Sequence, residues 1–200
     1  MKKPKLREIG EAVKALIRGP YTSKFPAVMP EVPDAFRGAP EYHEHDCVGC
    51  GACSQVCPAR AITMTDDTKG RTRKLTLRHD NCIYCGQCER YCITKKGITL
   101  SKRWNLVTTD RGALETSVEK ELVLCEREDC RAVVGTREHL VWVAERLGPL
   151  GFANPSLMLA KLGSLGADEV VPAPEGRALT RGDRIRILCP KCRQEMSLEA

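Results

Sequence analysis

The sequence predicts an α+β fold stabilised by bound metal: a helix and extended arm, a cysteine-rich centre, and a smaller C-terminal region with four more cysteines. Three observations predict it. Twelve cysteines fall into three groups within 200 residues, at 47, 50, 53 and 57, at 82, 85, 88 and 92, and at 125, 130, 189 and 192. Aromatic residues make up only 4% of the chain, too few for one large packed core, so something besides apolar burial must hold the fold. Short alternating segments, ITMT, LTLR and ITLS, recur beside the first two cysteine groups.

An even cysteine count also suits a disulfide framework in an exported protein. The N-terminus has basic residues but no apolar run long enough for a signal-peptide core, and no stretch approaches the roughly 18 apolar residues of a membrane span. A reducing compartment and metal-bound cysteines follow. The formal charge of +6 is uneven: residues 1–24 carry seven Lys/Arg against two acids, and residues 60–103 carry eleven against four. A cubane cluster on four thiolates and a four-thiolate zinc site each carry about −2, so three such sites offset that charge. Net charge therefore gives weak support to nucleic-acid binding.

In chain order, residues 1–20 place Leu6, Ile9, Val13, Leu16 and Ile17 at near-helical spacing and stop at Gly19-Pro20. This is an amphipathic helix suited to a membrane surface, a groove on a partner, or the protein's own core. Residues 21–46, with Pro26, Pro30, Pro33 and Pro40, read as an extended arm or linker. Phe25, Val28, Met29, Val32 and Phe36 give the arm apolar contacts to offer a neighbouring subunit. Residues 47–101 hold an internal repeat, a cysteine motif followed by a strand-like segment, twice. Residues 102–118 read as a connector. In residues 119–194, ELVLC and RIRILC are strand-like segments ending on cysteines, and they bracket helical stretches near 136–147 and 155–165.

The first motif, CVGCGACSQVCP, matches the C-x₂-C-x₂-C-x₃-C-P run of bacterial ferredoxins. Three thiolates two residues apart reach three corners of one cube only if the backbone wraps tightly around it. Gly49, Gly51 and Ala52 permit that wrapping and leave N–H groups free to face the sulfurs. CIYCGQCERYC repeats the spacing, with Ile93 where proline usually stands. In two-cluster proteins the fourth cysteine of each run serves the other cluster. One [4Fe–4S] cluster is therefore assigned to Cys47, Cys50, Cys53 and Cys92, and the second to Cys82, Cys85, Cys88 and Cys57. His43, His45 and His79 lie near the motifs; they read as solvated loop histidines, with proton coupling as the functional alternative. Tyr84 and Tyr91 read as packing that shields the clusters, and Trp104 and Trp142 carry no discernible chemistry.

Cys125 and Cys130, with Cys189 and Cys192 of the CPKC knuckle, suit a closed tetrahedral site for zinc or mononuclear iron. Four unrelated cysteines or a regulatory dithiol are the alternatives. Residues 131–188 carry no motif.

The order of these parts resembles the ferredoxin-type subunit of formate hydrogenlyase and other group 4 membrane-bound [NiFe] hydrogenases, itself similar to the two-cluster iron–sulfur subunit of complex I. The likeness is strongest over Arg37–Ser101, and the C-terminal cysteines depart from the usual complex I version. The resemblance implies a non-catalytic electron-transfer relay. Its partners would be hydrogenase-like large and small subunits and membrane subunits, and it would sit peripherally on the cytoplasmic membrane with residues 1–20 at the surface. No nucleotide loop, Ser/His/Asp set or nickel motif is present. Two rival readings are a diffusible ferredoxin, which requires neither arm nor basic helix, and a zinc-ribbon nucleic-acid binder, for which interleaved aromatics and a recognition helix are missing.

Overall fold

The structure, a computed structural model, describes residues 5–19, 22, 24–127, 129–166 and 185–198. The chain divides into two compact units, Met1–Phe36 and Arg37–Ala200. In the first, helix α1 spans Leu6–Arg18. The Glu8 carboxylate accepts the Lys5 N–H at 3.0 Å, satisfying a donor that the first turn leaves open. Gly19, at φ 80°, ends the helix with its N–H on the Ala15 carbonyl. The apolar stripe is uncovered: Leu6, Leu16 and Ile17 are 89%, 84% and 80% exposed. Phe25, Val28, Met29 and Phe36 of the arm are exposed as well.

The second unit opens with strand β1, Pro40–Tyr42, antiparallel to β4, Ile98–Leu100. The end of the expected arm is thus part of this unit. Ala39 is fully buried, donates to the Arg103 carbonyl at 2.8 Å and accepts from Ser101 N–H at 3.0 Å. Three residues including a proline show no alternation, so this strand owes its existence to its partner rather than to its own pattern.

A larger antiparallel sheet runs in the order β2 (Ile62–Asp67), β3 (Thr72–Arg78), β5 (Glu115–Leu124), β6 (Val133–Thr136). β5 begins four residues inside the stretch read as connector and pairs with β3 from Arg78↔Glu115 to Thr72↔Glu121. On β3 the period-two face buries Arg73, Leu75 and Leu77, with Val118 opposite Leu75 on β5. Leu75, Leu77 and Val118 form the core with Ile62, Ile98 and Cys47, Cys53, Cys88 and Cys92.

Beyond β6, helices α4 (Arg137–Leu147) and α5 (Pro155–Ser164) close a smaller core of Leu140, Ala144, Leu157 and Ala160. In this article's numbering α2 and α3 are the short helices Ala52–Gln55 and Gln87–Arg90, and α6 is Pro190–Leu198. The RIRILC segment is not a strand over its described residues 185–189; Arg184 lies outside them. Side chains replace a ladder there. Ile187 N–H donates to the Glu126 carboxylate at 3.0 Å, and the Ser156 hydroxyl both accepts from Leu188 N–H and donates to its carbonyl, each at 3.2 Å.

Candidate iron–sulfur and metal sites

The two motif loops repeat one backbone path. Left-handed residues recur at matching positions, Gly49 (φ 66°) with Tyr84 (φ 54°), Gly51 (78°) with Gly86 (76°), and Arg60 (50°) with Lys95 (62°), at the spacing that separates Cys47 from Cys82. Each left-handed turn curls the chain inward and aims N–H groups at sulfur. Cys47 is reached by Gly49 N–H, Cys50 by Ala52, Cys53 by Ser54 and Cys88 by Glu89. Tyr84 N–H donates to Cys82 Sγ at 3.4 Å, and Ala61 N–H to Cys57 Sγ at 3.2 Å.

The eight cysteines divide between two cavities. Cys47, Cys50, Cys53 and Cys92 line one of about 300 Å³, beside Tyr42, Leu75 and Ile93. Cys57, Cys82, Cys85 and Cys88 line another of about 340 Å³, beside Pro58, Leu77 and Tyr84. Leu75 and Leu77 are successive inward residues of β3, so one strand face walls both. Ile93 and Pro58 occupy equivalent places, each facing a cavity. Four sulfurs facing one apolar cavity, with N–H donors already aimed at them, fit a cubane cluster.

Burial pushes the thiols of Cys47, Cys50 and Cys82 up, Cys53 to about 12 and Cys88 to about 11. Burial acts on Cys92 too. There the Thr94 hydroxyl and the N–H groups of Ile98, Thr94 and Gly97 outweigh it, and its thiol lies below the usual value. The raised thiols, those of Cys47, Cys50, Cys53, Cys82 and Cys88, hold their protons until a cation displaces them.

Tyr42 was not singled out by sequence. Strand β1 carries it to the first cavity, with its hydroxyl 3.9 Å from Cys53 Sγ. Of the two tyrosines read as shielding, Tyr84 lines the second cavity, whereas Tyr91 is 52% exposed and stacks beneath Arg90. His43 and His45 are exposed. His79 corrects the loop reading: the inward face of β3 continues to it, leaving it 3% exposed. An arginine only donates, so Arg103, at 3.3 Å, makes His79 Nε2 the acceptor. Burial, then the Arg103 charge, hold this imidazole below its ordinary range.

The loop of the first motif is also gripped from outside. Thr136 donates to the Val48 carbonyl while capping α4 through His139 N–H. Arg73, held by both oxygens of Asp66 at 2.7 Å, donates to the Gly49 carbonyl at 3.1 Å. Lys120 donates to the Glu44 carbonyl at 2.6 Å.

The last four cysteines converge as well. Cys125 follows β5, Cys130 sits in the β5–β6 loop, and Cys189 and Cys192 flank the start of α6; their four sulfurs lie within 4.8 Å of one another. Cys130 and Cys189 are 3.7 Å apart at sulfur, near the ~3.8 Å edge of a tetrahedron with ~2.3 Å metal–sulfur bonds and far beyond a disulfide. Cys189 N–H donates to Cys125 Sγ and Cys192 N–H to Cys189 Sγ, at 3.4 and 3.5 Å. The donor set fits a closed tetrathiolate site.

In comparison with known proteins, residues 46–96 match the family described as "4Fe-4S dicluster domain". Among particular relatives, the chain is 28% identical over 102 residues to NAD(P)H-quinone oxidoreductase subunit I of Gloeobacter violaceus, an alignment covering 48% of each chain. It is 39% identical over 54 residues to formate hydrogenlyase subunit 6 of Escherichia coli, covering 27% of this chain and 30% of that one. The chain thus spans about half the length, or less, of these two relatives. A solved structure, that of the membrane-bound sulfane sulfur reductase, an archaeal respiratory membrane complex, aligns at 20% identity and a TM-score of 0.43, over 68% of this chain and 94% of that one.

Proposed function

We propose that this protein is an electron-transfer relay subunit of a membrane-associated oxidoreductase complex, of the hydrogenase, formate hydrogenlyase or complex I-like kind. The observation that carries the reading is the crossed partition of eight cysteines between two adjacent cavities. Cys47, Cys50, Cys53 and Cys92 would hold one [4Fe–4S] cluster, and Cys57, Cys82, Cys85 and Cys88 the other. Bound cubanes supply one-electron transfer at potentials that their surroundings tune. The chain's own part is to hold eight sulfurs in place, to offer N–H groups to their negative charge and to keep water out with Tyr42, Leu75, Leu77 and Tyr84.

The relay is non-catalytic. The exposed apolar residues of α1 and the arm support docking on partner subunits and on the cytoplasmic membrane surface; among the described residues no helix is long and apolar enough to cross a membrane. Cys125, Cys130, Cys189 and Cys192 would hold zinc, with mononuclear iron the rival, as a clasp that closes the C-terminal region. Anaerobic purification followed by metal and sulfide analysis tests the assignment. About eight iron, eight labile sulfide and one zinc per chain are expected from the ligand count; four iron or none refutes it. Co-purification with hydrogenase-like and membrane subunits tests the assembly, and isolation as a free carrier overturns it.

A further inference from the structure

The two cavities are alike in their linings, neither of which contains a charged side chain, but they differ in what stands behind the wall. Two cations press on the loop of the first. Lys120 reaches it from β5, with a side chain only 8% exposed and its ammonium on the Glu44 carbonyl at 2.6 Å. Arg73 reaches it from β3, 9% exposed, with its guanidinium on the Gly49 carbonyl. A Cβ on Gly49 would lie 3.0 Å from Lys120 Cβ and Cγ, so the lysine stem runs against the motif loop two residues from Cys47. Beside the second cavity, the cations next to its cysteines in the chain, Arg60 and Arg90, are exposed, so water and salt screen them. Arg103, which acts on Tyr84 at that side, is 46% exposed and pairs with Glu41 at 3.5 Å.

Anions offset the two cations unequally. Arg73 is matched by Asp66 and presents only the positive end of a dipole. Lys120 faces Glu138 Oε1 at 3.7 Å, farther than the carbonyl it serves; the Glu138 side chain is 41% exposed while its other carboxylate oxygen is buried. Glu44, Asp46 and Glu119 are exposed, so water and salt screen them. Lys120 is therefore the larger unbalanced charge beside the loop.

A cubane gains one unit of negative charge on reduction, and a buried cation nearby favours that state. We propose that Lys120 makes the cluster held by Cys47, Cys50, Cys53 and Cys92 the more oxidising of the two, so that a single electron entering the pair rests there. Lys120 touches neither sulfur nor iron in this role; it is a positioning residue for charge. The inference rests on the two-cluster reading above.

The test is a dithionite titration of the anaerobically purified full-length protein, followed by electron paramagnetic resonance. Lys120→Met lowers the higher of the two midpoints, by about tenfold in the reduction equilibrium or about 59 mV for one electron, and leaves the lower midpoint in place. Lys120→Arg keeps the original value. Glu138→Gln, which removes the opposing carboxylate, raises the same midpoint. Where Lys120→Met loses its clusters, Glu138→Gln alone decides: an upward shift of the higher midpoint supports the inference, and none overturns it. Equal movement of both midpoints, or movement of the lower one, also overturns it. Iron and sulfide analysis of the same samples separates an unmoved midpoint with both cubanes present, which sinks this inference alone, from a protein without two cubanes, which sinks the reading beneath it as well.

Discussion

At the scale of single residues, Gly49 is constrained both by conformation and by space. Its φ of 66° disfavours any side chain, and a Cβ there would lie 2.9 Å from Thr136 Cγ2 and 3.0 Å from Lys120 Cβ. At Gly86, which matches Gly51 in the second loop, a Cβ would meet only the flexible end of Leu100, at 3.3 Å. Gly49→Ala should therefore cost about 3 kcal/mol against about 1 for Gly86→Ala, read as thermal midpoints of the loaded protein. His79 gives a pH dependence. Its folded pKa lies below the unfolded 6.5 because it is buried and faces Arg103, so its contribution to stability is complete above pH 6.5 and is lost as pH falls through the folded value. Half-buried His139, lowered by burial and then by the Arg73 charge, acts in the same direction. His79→Gln flattens the drop in thermal midpoint between pH 7.5 and 5.5, and an unchanged slope refutes the role. The cysteines were legible in the sequence because chain spacing alone brings three of each set together. Tyr42, Arg73 and Lys120 were not, since strand pairing delivers them from elsewhere in the chain.

At the scale of elements, α1, α4 and α5 were legible in the sequence and α6 was not; Thr136 and Asn154 cap α4 and α5. Strands were legible only where they alternate. β1 escaped notice for want of pattern, and the RIRILC segment alternates yet pairs with no strand, because Glu126 and Ser156 take up its backbone groups. Helix α1 invites a direct experiment. Leu16→Glu with Ile17→Glu places two charges on its uncovered stripe, and sedimentation with anionic vesicles should then fall at least tenfold. Gly10 has nothing within 4 Å of a would-be Cβ, so Gly10→Ala should strengthen the helix by about 1 kcal/mol and increase vesicle binding.

At the scale of the whole molecule, the four-cysteine clasp joins the β5–β6 loop to residues 185–192, and the sheet carrying that loop continues through β5 to β3, the wall of both cavities. A chelator that strips the metal proposed for this site should release the segment around Cys189 to rapid hydrogen exchange and weaken the contacts of Ser156 with Leu188. The antiparallel β3–β5 ladder should keep its protection, because its bonds do not pass through the clasp. Simultaneous exchange of both regions would show that the two sites fold as one. The crossing of Cys57 and Cys92 between the cavities bears on biosynthesis. A ribosome that has released Cys47, Cys50, Cys53 and Cys57 has presented three sulfurs of one set and one of the other; the second set closes with Cys88 and the first only with Cys92. On the proposed two-cluster reading, insertion of either cofactor would therefore wait for the second motif. A chain truncated before Cys82 would accumulate as apoprotein, open to degradation, rather than as a half-loaded carrier that could draw electrons and pass them to oxygen.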